Sequence, residues 1–427
     1  MSAGLRGLRR AWQCLSRQPQ SLDERNARLL FEDIAWFGIV NGISATFTSV
    51  FAVRLGASNQ LVGLLVSLPP LVMACGGMAA ARLVERARHR MRLLVASLLL
   101  NRLGYLAIAS VPLLFASWRP QALVAVVGLM AVPATVGILS FNTMMADVVS
   151  PEQRARVVSI RFLLIYLTTT FTVLITGRML DVFPFPANYQ GAFVVAFLGS
   201  LMSLAALARI RIPGAGAARP ASDTKPIPWR SVLAHPRFRG FALTSFAVNL
   251  ALFAPTALFS LFRVRTLGAS DTWIGLLGTV ETAVAIFSSY LWGRQSARRG
   301  DRQVLLIAML GLTAYPLLTA LSPRVEPLLF VSVIGGLFAP AYNIAIFNLL
   351  LATCPQEGRP AYMAVYNMLL NLATFAAPLA GTALADCFDI RTALLLTGGL
   401  RLAAAAAVAW WARSEGSPAP AMQAQAS

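Results

Sequence analysis

Long apolar runs alternate along this chain with short polar and charged segments. A helix needs about 20 apolar residues to cross the hydrocarbon core of a bilayer, and runs of about that length recur twelve times. A segment surrounded by lipid must satisfy its backbone hydrogen bonds internally, so each run predicts an α-helix. The predicted spans, numbered 1 to 12 in chain order, are 29–54, 61–83, 93–117, 122–146, 157–180, 189–210, 241–262, 272–292, 303–321, 327–352, 362–385 and 392–411.

The composition excludes a water-soluble protein. Hydrophobic side chains make up 57% of the 427 residues and charged ones only 12%, with a mean hydropathy of +0.67. One water-exposed domain cannot bury that much apolar surface. The sequence therefore predicts an all-α membrane protein with twelve transmembrane helices and the lipid bilayer as its surroundings.

The net charge of +19 is distributed in a way that predicts topology. A nucleic-acid partner is not expected, because the charge lies in short clusters between apolar runs and not on one solvated face. Twenty-six of the 36 Lys and Arg residues fall on one side of the predicted topology, and seven fall on the other. The positive-inside rule then places both termini in the cytoplasm of a bacterial-type inner membrane.

Residues for enzyme or metal chemistry are scarce in the sequence. The four cysteines form no CxxC pair, and the only histidines, His89 and His235, lie in basic loops. We therefore predict no catalytic residues, no metal site and no cofactor. The phosphate-binding pattern GxxxxGK[ST] does not occur in the sequence, so transport driven by ATP hydrolysis within this chain is not expected.

Two sequence echoes indicate an internal duplication. Segment 81–90 resembles segment 293–302, and segment 151–181 resembles segment 355–386 at a displacement of about 205 residues. The second echo aligns Arg154 with Arg359, Gly177 with Gly381, and Asp181 with Asp386. The predicted organisation is a basic cytoplasmic tail (1–28), a six-helix bundle (29–210), a flexible cytoplasmic linker (211–239), a second six-helix bundle (240–412) and a disordered tail (413–427).

Twelve helices arranged as six plus six, with a long central cytoplasmic loop, resemble the major facilitator superfamily. In that family the loop between spans 2 and 3 reads G-x-x-x-D-[RK]-x-G-[RK]-[RK]. The first half of this chain keeps Glu85, Arg86 and Arg90, with Ala81 and Arg88 at the usual glycine positions. The second half keeps Gly293, Arg298, Gly300 and Arg302, with Ala297 and Asp301 as departures.

The resemblance implies a pseudo-symmetric 6+6 fold whose bundles rock about a cavity lined by spans 1, 4, 7 and 10. It also implies a cytoplasmic gate, for which the candidates are Glu85, Arg86, Arg90, Gly293, Arg298 and Arg302. The alternative for Glu85 is that it only offsets the neighbouring arginines. Span 4 has no basic residue and span 5 has no proline, which departs from the family's drug–proton antiporters.

Three charged residues, Glu281, Arg102 and Arg401, lie deep inside predicted spans, and an ionised side chain at the centre of a span costs about 2.5 to 3.5 kcal/mol. Arg401 follows two glycines in span 12 and could pack against them. Glu281, near the middle of span 8, either carries a coupled proton or makes a structural hydrogen bond. Arg102 in span 3 either holds an anionic substrate or pairs with a carboxylate such as Asp33. Arg161 is expected to reach the cytoplasmic surface, and Asp33 to belong to a solvated helix start.

Uncharged polar side chains recur on the spans predicted to line the cavity. The candidates are Asn41 in span 1, Asn249 in span 7, Asn343 in span 10 and Asn371 in span 11. Together they favour a cavity able to bind an organic solute, whereas any single amide could instead bond to a neighbouring helix. The leading hypothesis is a secondary active transporter of a small organic solute that works by alternating access, with protons as a candidate partner. The alternatives are an uncoupled facilitator and a membrane scaffold or sensor.

Overall fold

Twelve long helices account for nearly all of the described chain. The computed structural model describes residues 21–211, 229–356 and 358–414, and within them all twelve predicted spans are confirmed as helices long and apolar enough to cross a membrane. Spans 1 to 6 are Leu22–Arg54, Asn59–Arg86, Arg90–Leu114, Arg119–Val148, Glu152–Val182 and Ala187–Ala208. Spans 7 to 12 are Pro236–Thr266, Asp271–Arg299, Asp301–Leu321, Leu328–Thr353, Arg359–Cys387 and Ile390–Trp411.

Large apolar side chains lie on the outside of these helices as well as inside. Leu100 is 60% exposed, Leu113 is 78% exposed and Phe287 is 76% exposed. A water-soluble protein rarely leaves so much apolar surface uncovered, whereas lipid tails solvate such side chains. The exposed apolar surface therefore agrees with helices that stand in a bilayer.

Several helices begin at side chains that cap their first turn. Ser21 accepts the backbone N–H of Glu24 at 3.2 Å, and Ser58 accepts that of Leu61 at 3.2 Å. Asp389, between spans 11 and 12, accepts the N–H of Thr392 at 2.8 Å. Hydrogen bonding to Thr392 lowers the pKa of the Asp389 carboxyl below its ordinary value, because these bonds stabilise the charged form.

The chain divides into two compact units, Met1–Thr224 with Gly268–Thr279, and Lys225–Leu267 with Val280–Ser427. In the first unit, span 1 packs on spans 5 and 6, span 3 packs on spans 4 and 6, and span 2 packs on span 4. In the second unit, span 7 packs on spans 11 and 12, and span 9 packs on spans 10 and 12. The two units thus repeat one order of helix pairs, as the sequence echoes lead one to expect.

The beginning of span 8 belongs to the first unit, which differs from the predicted boundary at residue 240. Asp181 at the end of span 5 accepts the backbone N–H groups of Asp271 and Thr272, both at 2.8 Å. Asp271 in turn pairs with Arg54 at 3.1 Å and accepts the hydroxyl of Tyr189 at 2.6 Å. These contacts bind the first turn of span 8 to spans 1, 5 and 6.

Two further boundaries differ from the predictions. The first helix begins at Leu22, so the predicted tail, which runs to residue 28, ends seven residues too late. Helix Trp229–Ala234 and the first turn of span 7 occupy the end of the predicted linker. The prediction of a flexible linker is therefore wrong for those residues. The remaining linker residues 212–228 and the tail residues 415–427 lie outside the described residues.

Candidate functional site

Glu281 lies in the second unit, in the middle of span 8, with its carboxylate facing spans 7, 9 and 10. It is partly exposed, and its Oε2 accepts a hydrogen bond from the hydroxyl of Tyr315 at 3.3 Å. The same hydroxyl accepts a bond from Nη2 of Arg263 at 2.8 Å. Among the described residues no Lys, Arg or His lies within 4 Å of the Glu281 carboxylate. Its charge is therefore balanced only through Tyr315 and, at longer range, by Arg263.

Arg263 was assigned by sequence to the loop after span 7, and that assignment is wrong. It lies inside the span, in the π-helical turn Phe262–Thr266, where the N–H of Leu267 bonds to the carbonyl of Phe262 at 3.0 Å. A π-turn shifts the helix register by one residue and often occurs at functional sites. Arg263 keeps its Nε without a hydrogen-bond partner among the described residues, so the cation has a spare donor.

Two glycines of span 10 allow span 8 to approach closely at Glu281. A Cβ on Gly335 would stand 2.6 Å from the ring of Tyr315 and 3.1 Å from Oε1 of Glu281. A Cβ on Gly336 would overlap the backbone carbonyl of Glu281. Two turns further along, Ser288 donates to the carbonyl of Gly336 at 2.7 Å. Span 8 therefore packs closely against the two glycines of span 10, as helices do at small residues in membranes.

Replacing Gly336 by Ala is expected to destabilise the protein by about 1 to 3 kcal/mol, because the added methyl forces spans 8 and 10 apart. The measurement is thermal unfolding of the purified protein in detergent. The matched control is Gly399→Ala in span 12, where a Cβ meets nothing within 4 Å. That control should be neutral or slightly stabilising, since Ala favours helix over Gly. Equal effects of the two changes would contradict the close packing.

Asp33 is buried, so its prediction as part of a solvated helix start is wrong. It lies more than ten residues inside the first helix and is 4% exposed. Arg161 was expected to reach the surface, but it is 9% exposed and pairs with Asp33 at 3.1 Å. Arg102 reaches the same carboxylate through Ser203, to which it donates at 2.7 Å, while Ser203 donates to Asp33 at 2.6 Å. This buried network joins spans 1, 3, 5 and 6.

The four candidate asparagines lie in different surroundings. Asn41 donates to the hydroxyl of Thr169 at 3.3 Å, and Asn371 donates to the carbonyl of Asn367 in its own helix at 2.8 Å. Asn249 is only 1% exposed; its side chain accepts the Tyr342 hydroxyl at 2.9 Å and donates to the carbonyl of Ser245 at 2.7 Å. Asn343 is exposed. Asn249 is therefore a packing residue in this structure.

A cavity of about 350 Å³ lies inside the first unit, between spans 1, 2, 3 and 4. Its wall is mostly apolar and carries no charged side chain. The polar groups in the wall are Ser44, Thr48, Ser49, Asn101 and Tyr105. Such a surface suits an uncharged organic molecule with one or two hydrogen-bonding groups.

Of the three gate candidates in the first half, two are exposed and one makes an ion pair. Glu85 and Arg86 are exposed at the end of span 2. Arg90 at the start of span 3 pairs with Asp147 near the end of span 4 at 3.3 Å. This ion pair links the loop to a span predicted to line the cavity.

The second half has a similar link with different chemistry. Asp301 at the start of span 9 accepts the amide of Asn348 near the end of span 10 at 2.9 Å, and it also accepts the hydroxyl of Ser296. The guanidinium of Arg302 stands 5.1 Å from the ring centre of Trp411, while Gly293 and Arg298 are exposed or partly exposed. In each half a side chain at the start of the third helix therefore bonds to a side chain near the end of the fourth helix.

Solved structures with a similar fold include several transporters. A bacterial homologue of the human lysosomal transporter Spinster, inward-facing and unoccupied, matches with a TM-score of 0.74 and 16% identity over 95% of this chain and 100% of that chain. A mutant form of the nucleoside transporter NupG matches with a TM-score of 0.73 and 12% identity over 92% of this chain and 100% of that chain. At these identities the likeness shows the fold.

The described residues hold twelve candidate spans in two compact units, which define a polytopic membrane protein. The model of the Major Facilitator Superfamily matches residues 34–270 and 243–426, so the chain belongs to that family. The probable multidrug resistance protein EmrY of Escherichia coli (strain K12) is 30% identical over 126 residues. That alignment covers 29% of this chain and 24% of EmrY, so this chain spans about a quarter of that relative's length.

Proposed function

We propose that the protein is a secondary active transporter that moves a small organic solute across a bacterial-type cytoplasmic membrane by alternating access, coupled to protons. Transport itself follows from the family. The solute class is supported by proteins of similar structure, which include a nucleoside transporter and a POT family transporter in complex with a thioalcohol-conjugated peptide. The uncharged wall of the cavity between spans 1 and 4 fits the same class.

The observation that carries proton coupling is Glu281. It is a partly exposed carboxylate in the middle of a span, with one hydrogen bond of 3.3 Å and no ion pair among the described residues. An acid that stays charged at such a depth is costly, so a proton on Glu281 stabilises one state of the cycle. The charged and titratable groups around it are Arg263 on span 7 and Tyr315 on span 9, and both could respond when its charge changes.

Counterflow in proteoliposomes tests the transport proposal. Vesicles containing the purified protein are loaded with a panel of unlabelled solutes, including nucleosides and short peptides, and uptake of trace labelled solute is followed. The proposal expects transient accumulation of at least one solute and an increase in its net uptake when a pH gradient is imposed. Solute flux that is the same with and without the pH gradient would instead favour an uncoupled facilitator.

We propose further that both termini face the cytoplasm, because the basic loops lie on that side. Alkaline phosphatase and fluorescent protein fusions placed after Ile210 and after Trp411 are expected to report cytoplasm at both sites. The control is a fusion after Leu267, between spans 7 and 8, which should report the periplasm. A periplasmic signal from either of the first two fusions would contradict this topology.

A further inference from the structure

Span 7 is a broken helix. Its first segment, Pro236–Phe253, ends before the turn at Ala254 and Pro255, and a second segment, Thr256–Leu261, follows. Proline has no N–H to donate, so Pro255 leaves the carbonyl of Ala251 without its helical partner. The break also leaves the carbonyls of Leu252 and Phe253 free of the regular ladder. In a membrane interior these groups must find partners within the protein.

Arg401 from span 12 supplies the missing donors. Its Nε donates to the carbonyl of Ala251 at 3.3 Å, and its Nη2 donates to that of Leu252 at 2.6 Å. Its Nη1 donates to Leu312 of span 9 at 2.6 Å. The remaining carbonyl, that of Phe253, accepts the hydroxyl of Thr256 at 2.7 Å. The guanidinium thus connects the break in span 7 to two neighbouring helices.

Arg401 bonds only to backbone carbonyls among the described residues, and two of the three belong to the break. Arg401 is 5% exposed, and no carboxylate lies within 4 Å of it among the described residues. Backbone carbonyls alone therefore stabilise this buried cation. In the first half the corresponding spans differ in both respects, since span 1 contains no proline and is unbroken, and span 6 contains no arginine. Of the two halves, the second has both the arginine and the break, and the first has neither.

The segment beyond the break carries Arg263 to its contact with Tyr315, and through Tyr315 to Glu281. We propose that Arg401 is a positioning residue that takes the place of the backbone donor missing at Pro255 and fixes the direction of the second segment of span 7. It thereby holds Arg263 against the Tyr315–Glu281 pair. Only the consequence for transport rests on the proposed function, because the role at the break is a property of the fold.

A double-mutant cycle tests this role. Arg401→Met leaves the carbonyls unpaired and is expected to lower the melting temperature in detergent by about 5 °C or more. Pro255→Ala restores an N–H that can bond to Ala251, so Arg401→Met should cost markedly less in the Pro255→Ala protein. Arg401→Lys, which keeps a charged donor, should recover part of the loss. If the changes in melting temperature caused by Arg401→Met and Pro255→Ala simply add in the double variant, the proposal is overturned.

Arg102→Met provides the matched control, since Arg102 is also a buried arginine but bonds to Ser203 in the other unit. Its effect should add to that of Pro255→Ala. If Arg401→Met yields no folded protein, recovery of folded protein by Pro255→Ala supports the coupling, and failure to recover it counts against the proposal.

A distance measurement separates positioning from general stability. Spin labels at Leu243→Cys and Thr266→Cys, in a protein without other cysteines, report the span across the break by double electron–electron resonance. A straight helix over these 23 residues is about 34 Å long. In the labelled protein that carries both Arg401→Met and Pro255→Ala, the distance is expected to approach that value. Arg401→Met alone should broaden the distribution, whereas an unchanged distribution would refute the positioning role. Both readouts are independent of solute flux, so a transport-inactive protein would overturn the proposed function and leave this test intact.

Discussion

A Glu281→Gln protein is expected to exchange solute across the membrane while losing the accumulation that a pH gradient drives. Gln keeps the shape of the side chain and can still accept the Tyr315 hydroxyl at the position now 3.3 Å away, but it cannot bind or release a proton. For one coupled proton, each pH unit across the membrane supports about a tenfold solute gradient. The variant should bring that ratio close to one.

The measurement compares pH-driven accumulation with solute exchange in the same proteoliposomes. Glu326→Gln is the matched control, because Glu326 is an exposed acid in the same half, between spans 9 and 10; it should change neither activity. Exchange need not pass through the protonation step, so its retention shows that the variant is folded. Full pH-driven accumulation by a well-folded Glu281→Gln protein would remove Glu281 as the proton carrier.

Asp33→Asn is expected to destabilise the first unit by about 3 to 5 kcal/mol, since it leaves a buried charge uncompensated. The Arg161 guanidinium would lose its carboxylate at 3.1 Å, and Arg102 would lose the negative end of its link through Ser203. The neighbouring change Glu32→Gln is the control, because Glu32 pairs with Arg28 at the surface, with both side chains 39% exposed. Surface pairs contribute at most about 1 kcal/mol.

Thermal or denaturant unfolding in detergent provides both values. Combining Asp33→Asn with Arg161→Met should recover part of the loss, because the second change removes the unpaired cation. If Asp33→Asn and Glu32→Gln cost the same, the network does not carry the stability assigned to it. A buried acid held by two donors also contrasts with Glu281, and this is why Asp33 is interpreted as structural.

The number of spans could be predicted because hydropathy reports length and apolar content directly. The bounds of span 7 could not be predicted well, since Arg263 and Arg265 end the apolar run before the helix ends at Thr266. The two arginines lower the mean hydropathy of this segment, so a prediction based on hydropathy assigns them to a loop. The structure instead accommodates Arg263 in a π-turn beside Tyr315.

The depth of Asp33 could not be predicted because Glu32 and Asp33 are adjacent in the sequence. Consecutive residues on a helix point about 100° apart, so one can face solvent while the next faces the bundle. Deciding between them requires knowing which neighbouring helices carry Arg161 and Ser203, a long-range fact. For the same reason Asn249 could be placed on a helix face, but its burial against Tyr342 could not be predicted.

The ion network around Asp33 also bears on how the chain is made. Asp33 leaves the ribosome 128 residues before Arg161 and 170 residues before Ser203. At about 5 to 20 residues per second, roughly 6 to 26 s pass before Arg161 is synthesised. During that interval Asp33 is without the two partners that it has in the folded bundle. We therefore expect the final packing of span 1 to form only after spans 5 and 6 have been made.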